Sequence, residues 1–344
     1  MIRFNCDYSE GAHEKIMEQL LATNMEQTEG YGLDPHCENA RKLIKKACND
    51  DTLDVHFLVG GTQTNLIVIA AALRPHQGVL GAESAHVNVH ETGAIESCGH
   101  KVLTLPSDDG KITADQVETY YNDHYSTDGR EHIVQPKMVY ISQPTELGTL
   151  YTKAELTAIS EVCRKHNLIL FVDGARLGYG LTAKGNDVTM EDLAALSDVF
   201  YIGGTKVGAL FGEAVVIRSE ALKEDFRYII KQKGAMLAKG RLLGIQFETL
   251  FTDDLYTKIS AHANEMADLL RDAFTKAGFD YLVPNTTNQL FPILPDRALA
   301  KLESKYSFAY QERVDATHSA VRFCTSWATK EEDVKTLIAD IENL

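Results

Sequence analysis

Two kinds of hydrophobic pattern alternate along the chain. Apolar residues at helical spacing begin over residues 12–23, where Ile16, Leu20 and Leu21 share a face, and recur over 38–47 and 63–73. Short unbroken apolar runs follow at 78–80, 101–105, 138–141, 168–172, 199–202 and 214–217, with helical patterns such as 114–121 and 153–165 between them. Continuous apolar runs separated by helices predict strands buried on both faces of a mainly parallel sheet. A long helical pattern over 236–277 is broken near Thr252-Asp253-Asp254, a sequence suited to capping a new helix. Shorter runs at 281–283, 289–294 and 320–324 and a last helix from Lys330 complete the pattern. The expected architecture is α/β, with a large domain over 1–250 that includes the N-terminal segment and a small α+β domain over 251–344.

Length and charge narrow the partners. A chain of 344 residues is long for one core, which fits a large domain with a smaller one. A formal net charge of −15 and a pI near 5.2 exclude nucleic acid and anionic membrane as natural partners, leaving small metabolites. The N-terminus shows no apolar signal segment, and the run over 66–73 is far too short for a bilayer, so a cytoplasmic location is expected. Cys6, Cys37, Cys48, Cys98, Cys163 and Cys324 form no CxxC pair, so neither a metal site nor a disulfide framework is expected.

The candidate chemistry lies at strand ends. The strand over 168–172 runs into Asp173-Gly174-Ala175-Arg176, and the next one into Gly203-Gly204-Thr205-Lys206. Together they suit pyridoxal 5'-phosphate: a carboxylate keeps the ring nitrogen protonated, and a lysine amine links to the cofactor's aldehyde. Either residue alone is commonplace. A third element, Phe57-Leu58-Val59-Gly60-Gly61-Thr62, ends a strand in a Gly-Gly-Thr turn that opens a helix, a cradle for a phosphate.

The order of Gly60-Gly61-Thr62, Glu83-Ser84-Ala85-His86, Glu91-Thr92-Gly93-Ala94, Asp173-Gly174-Ala175-Arg176, Lys206 and Val321-Arg322-Phe323 resembles the L-threonine aldolase and β-eliminating lyase family of fold-type I pyridoxal phosphate enzymes. Near the front, Tyr31-Gly32-Leu33-Asp34-Pro35 is similar to that family's YGxDP segment. The resemblance implies that Lys206 holds the cofactor, with Thr205 beside it. Asp173 would pair with its ring nitrogen and Gly60, Gly61 and Thr62 with its phosphate. His86 would lie over the ring, oriented by Glu91, while Arg322 and Arg176 bind the substrate carboxylate. It also implies a homodimer or homotetramer with its site at a subunit interface, which Tyr31 and Lys233 would serve from the neighbouring subunit.

The implied reaction cleaves L-threonine, L-allo-threonine or a related β-hydroxy amino acid to glycine and an aldehyde. A β-eliminating lyase, an aminotransferase and a non-catalytic cofactor-binding protein are the alternatives. Three departures from the family pattern fall near the substrate. Cys6 stands before Asp7 where serine is usual, and Leu237 follows Met236 where arginine is usual, with Lys233 or Lys239 as substitutes. Ser142-Gln143-Pro144-Thr145-Glu146 replaces an ENTHN-like segment, placing Thr145 where a histidine would meet the substrate hydroxyl. Hydroxyl deprotonation is then expected from His86, Glu91 or a water held between them.

Overall fold

A computed structural model describes residues 1–344. The central sheet comprises β1 (Asp54–Leu58), β2 (Gln77–Ala82), β3 (Val102–Leu105), β4 (Gln135–Ser142), β5 (Ile169–Asp173), β6 (Val199–Gly203) and β7 (Glu213–Ile217), in spatial order β1-β7-β6-β5-β4-β2-β3. Strands β2 to β6 pair in parallel, and β7 alone runs against its neighbours β6 and β1. Every residue of β2, β6 and β7 is buried, because helices cover both faces and each side chain meets a packed layer. The helix Lys153–Lys165 shows how a crossover is set: Thr152 and Glu155 form a capping box, and Leu156, Ile159, Ser160 and Cys163 turn inward.

The long helical pattern becomes two helices, Arg241–Leu250 and Leu255–Lys276. Asp254 occupies the N-cap position, but its side chain makes no capping bond, which corrects the expected role of the Asp pair. The break lies in the backbone instead: Asp253 and Asp254 have φ of 54° and 56°, a left-handed conformation that aspartate tolerates better than most residues. The segment before Arg241 is not helical, since it runs against the front of the chain. A Cβ on Gly240 would stand 2.4 Å from the Gly32 nitrogen, so only glycine fits there.

The C-terminal part builds a small antiparallel sheet in which β10 (His318–Cys324) lies between β8 (Ile293–Pro295) and β9 (Ala309–Arg313), with Gln289–Leu290 pairing its far end. The strand expected at 281–283 is only an isolated bridge from Tyr281 to Pro292. Helix Asp296–Glu303 and strand β9 go beyond the sequence expectation; most of β9 is polar and exposed, so no apolar alternation marks it. Two hydrophobic clusters result. Leu255, Tyr256, Ile259 and Ala263 of the long helix pack with the central sheet, while Met266, Ala267, Leu270 and Phe274 join Phe4, Phe323 and Leu337 in the second. Phe4 reaches that second cluster because Ile2–Arg3 pairs with Tyr306–Ser307. No helix is long and apolar enough to cross a membrane.

Candidate active site

The C-terminal ends of the parallel strands and the start of β7 surround a cavity of about 310 Å³. Its lining includes Gly60, Gly61, Thr62, His86, Asp173, Arg176, Thr205 and Lys206, so residues far apart in sequence meet at one sheet edge. Cys6, Tyr31, Lys233 and Arg322 are not among its lining. Tyr31 lines a separate, smaller cavity with Arg41, His56 and Arg227, and the Cys6 thiol lies 3.2 Å from the Ser9 hydroxyl. Within one chain, the placement of Cys6 and Tyr31 at the substrate is therefore not realised.

The helix Gly61–Ala72 begins at the cavity with Gly60 as its N-cap and no side chain capping its free N–H groups. Those donors, with the positive end of the helix, remain available to an anion. A Cβ on Gly61 would come within 3.2 Å of the Tyr201 hydroxyl, so a bare backbone suits this corner.

Asp173 closes β5 and is 4% exposed. Its Oδ1 accepts the Ala175 N–H at 2.9 Å, and its Oδ2 accepts from Asn65 Nδ2 at 3.2 Å and from the Tyr140 hydroxyl. Asn65 also donates to Glu91 Oε1 at 2.7 Å, and the same oxygen lies 2.7 Å from His86 Nδ1. One chain of hydrogen bonds thus joins the Asp173 carboxylate to the His86 imidazole.

Lys206 sits in the turn between the paired residues Gly203 and Glu213, with its carbonyl accepting the Tyr179 hydroxyl at 2.5 Å. Burial and the nearby Arg176 charge hold its amine below the ordinary ammonium range, which favours the nucleophilic form. Glu213, 3% exposed, faces the same cavity and accepts the Gly204 N–H at 3.2 Å; burial raises its carboxyl to about 8.

Arg176 lines the cavity but commits Nε and one Nη to Asp7, at 2.7 and 2.9 Å. Asn288 donates to Asp7 at 2.9 Å as well. Burial works to raise the Asp7 carboxyl, yet Arg176 outweighs it and leaves Asp7 below the usual carboxylate range. Arg322, on β10, is held more loosely: it donates at 3.3 Å to Gln289 and at 3.2 Å to the Asn5 carbonyl, and its buried Nε has no partner. An arginine with an idle buried donor is suited to a carboxylate ligand.

Tyr8, Tyr201 and Glu213 also line the cavity with no role assigned to them from the sequence, and Ser142 and Glu146 line it from the segment in which only Thr145 carries an expected role. For Glu213 a signal existed, an acid directly before the apolar run at 214–217. Thr145 does line the cavity, but its hydroxyl pairs with Thr149 Oγ1 at 2.6 Å and is occupied by the turn.

The sheet, strand-end lysine and carboxylate define a fold-type I pyridoxal phosphate enzyme. The fold is shared with Thermus thermophilus aspartate aminotransferase at a TM-score of 0.71 and 16% identity, covering 100% of this chain and 91% of that one. The family model for beta-eliminating lyases matches residues 5–297, and the chain belongs to that family. It is 31% identical to a low specificity L-threonine aldolase of a Pseudomonas species, over 98% of this chain and 96% of that protein. It is similar to the solved threonine aldolase of Leishmania major, with 45% identity, a TM-score of 0.97 and coverage of 100% and 99%. Its cofactor is pyridoxal 5'-phosphate, which the uncapped helix start, the buried Asp173 and the low-pKa Lys206 fit in charge and chemistry.

Proposed function

We propose that this protein is a pyridoxal phosphate-dependent aldolase that cleaves L-threonine, L-allo-threonine or a related β-hydroxy amino acid to glycine and an aldehyde. The observation that carries the reading is the meeting of Lys206, Asp173, His86 and the uncapped Gly60-Gly61-Thr62 turn in one cavity. When bound there, the cofactor supplies an electron sink for the charge left at Cα as the Cα–Cβ bond breaks.

Each role follows from what the side chain can do in place. Lys206 would hold the cofactor and move a proton at Cα, and burial with the nearby Arg176 charge lowers its pKa in the direction that eases both roles. Asp173 would hold the ring N–H, its carboxyl oxygens fixed in place by donors from Ala175, Asn65 and Tyr140. Gly60, Gly61, Thr62 and Thr205 receive the phosphate. His86, fixed by Glu91, covers the ring. Arg322 and the uncommitted Nη of Arg176 bind the substrate carboxylate, and that orientation selects the Cα bond to be broken. The protein is proposed to work in the cytoplasm as a homodimer or homotetramer, with Tyr31 and Lys233 offered to the neighbouring subunit; Tyr31 is 45% exposed beside its own cavity.

The test is product analysis of the purified, cofactor-loaded protein with a panel of L-amino acids. Glycine and an aldehyde from threonine or a related substrate are expected. Ammonia with a 2-oxo acid, or a new amino acid formed with a 2-oxo acid acceptor, would transfer the case to a lyase or an aminotransferase. No turnover would leave a binding protein.

A further inference from the structure

Glu146 belongs to the turn that follows β4 and lines the cavity beside Ser142, His86 and Asp173. Its Oε1 accepts two hydrogen bonds, from the Ser142 hydroxyl at 2.7 Å and from the His86 backbone N–H at 3.0 Å. No other residue donates to Oε2, while Glu146's own backbone N–H also serves the carboxyl, so one oxygen is fixed by the scaffold and the other is left for a ligand. Its neighbour Thr145 cannot compete, because the Thr149 pair occupies its hydroxyl. His86 has its Nδ1 committed to Glu91.

We infer that Glu146 is the catalytic residue that receives the substrate's β-hydroxyl and takes its proton, an assignment that rests on the aldolase reading. As the Cα–Cβ bond breaks, the hydroxyl proton passes to Oε2 and the O–H electron pair becomes the second bond of the aldehyde carbonyl. The Cα–Cβ pair stays with Cα, which then receives a proton from Lys206 in its ammonium form, leaving the neutral amine. The proton on Glu146 leaves through the open mouth of the cavity, and Lys206 regains one from solvent. Atoms and charge therefore balance without any further reactant.

The surroundings favour a base. Burial raises the Glu146 carboxyl above the ordinary range, the Ser142 bond opposes this, and the Asp173 charge adds to the rise. Arg176, Lys206, Glu213, Tyr8 and Tyr201 share its cavity, and beside it lie His86 with its partner Glu91 and the buried pair Tyr140 and Tyr151. The tyrosines, both pushed far upward by burial, stay neutral at working pH.

Glu146→Gln separates this role from a structural one, because the amide oxygen can still accept from Ser142 and His86 while losing the proton-accepting function. In the cofactor-loaded variant, glycine release from L-threonine should fall about a hundredfold or more, and the acid limb expected in the wild-type kcat profile should be absent. Exchange of the glycine Cα proton with deuterated water, which needs no hydroxyl chemistry, should stay within about threefold of wild type. Retained threonine cleavage would overturn the assignment, and so would equal loss of cleavage and exchange, which would mark Glu146 as scaffold. Wild-type protein that exchanges the glycine proton but releases no glycine from any β-hydroxy amino acid would instead overturn the aldolase reading, and this assignment with it.

Discussion

On the proposed cofactor side of the cavity, Asp173 ends β5, Lys206 follows β6 and the Gly60-Gly61-Thr62 turn follows β1, so one sheet fixes all three. The proposed substrate side is assembled from pieces. Asp7 comes from the N-terminal segment, Glu146 from the turn after β4, and Arg322 from β10 of the small sheet. The two halves also differ in how fully their polar groups are used. Asp173 accepts from three donors, whereas Arg322 has long contacts and an idle buried Nε. Asp173, proposed to hold one ligand throughout, is saturated by protein, whereas Arg322, proposed to bind and release substrate, keeps an idle donor.

The sharpest way to break this contrast is Lys206→Ala, which should abolish turnover and the covalent link to the cofactor. Borohydride reduction followed by peptide mass analysis should place the cofactor on Lys206 in wild type and nowhere in the variant. Asp173→Ala should leave a folded protein whose turnover is lower by roughly a thousandfold or more, since an unprotonated ring withdraws electrons poorly. Retention of turnover in that variant at full cofactor occupancy would move the ring partner elsewhere.

On the substrate side the effects should be graded. Arg322→Lys keeps charge but loses the planar fork, so KM for threonine should rise about tenfold or more with cofactor content unchanged. Loss of cofactor without a change in KM would make Arg322 a structural residue. Asp7→Asn leaves the buried Arg176 without its counter-charge and should cost about 3–5 kcal/mol in denaturant unfolding at pH 7. Its pH dependence has a defined sign. The folded Asp7 carboxyl lies below its unfolded value of 3.8, so its contribution is complete above that pH and is lost as pH falls through the folded value. Wild type should therefore show an acid loss of stability that the variant lacks. The smallest effect is expected at Thr145→Ala, where threonine cleavage should stay within about threefold, because the hydroxyl serves Thr149 rather than substrate.

The same contrast explains what could be seen in the sequence. Gly60, Asp173 and Lys206 each follow an apolar run, so local pattern announces both the strand and the group at its end. Glu146 was inside a segment singled out from the sequence, but attention fell on Thr145. Both residues line the cavity, and which of them keeps a free polar group depends on the turn, because the Thr145 to Thr149 pairing that occupies the hydroxyl crosses the turn itself. Arg176 was visible, yet its commitment to Asp7 was not, since that contact joins residues 169 positions apart. The break at Asp253 was found for a capping reason and exists for a conformational one. Strand β9 escaped because its side chains are mostly exposed, so burial left no imprint on their polarity.

Strand β7 runs opposite to the rest of the sheet, and Gly203 and Glu213 face each other in register across its pairing with β6. The segment that carries Lys206 is thereby a loop closed at its base, and its backbone is further tied by Gly204 and Thr205 bonding to Gly212. Its conformational entropy is surrendered when the chain folds, not when the cofactor arrives. Cofactor capture and completion of this hairpin are therefore sequential events, and an apoprotein with an intact sheet presents the lysine already preorganised.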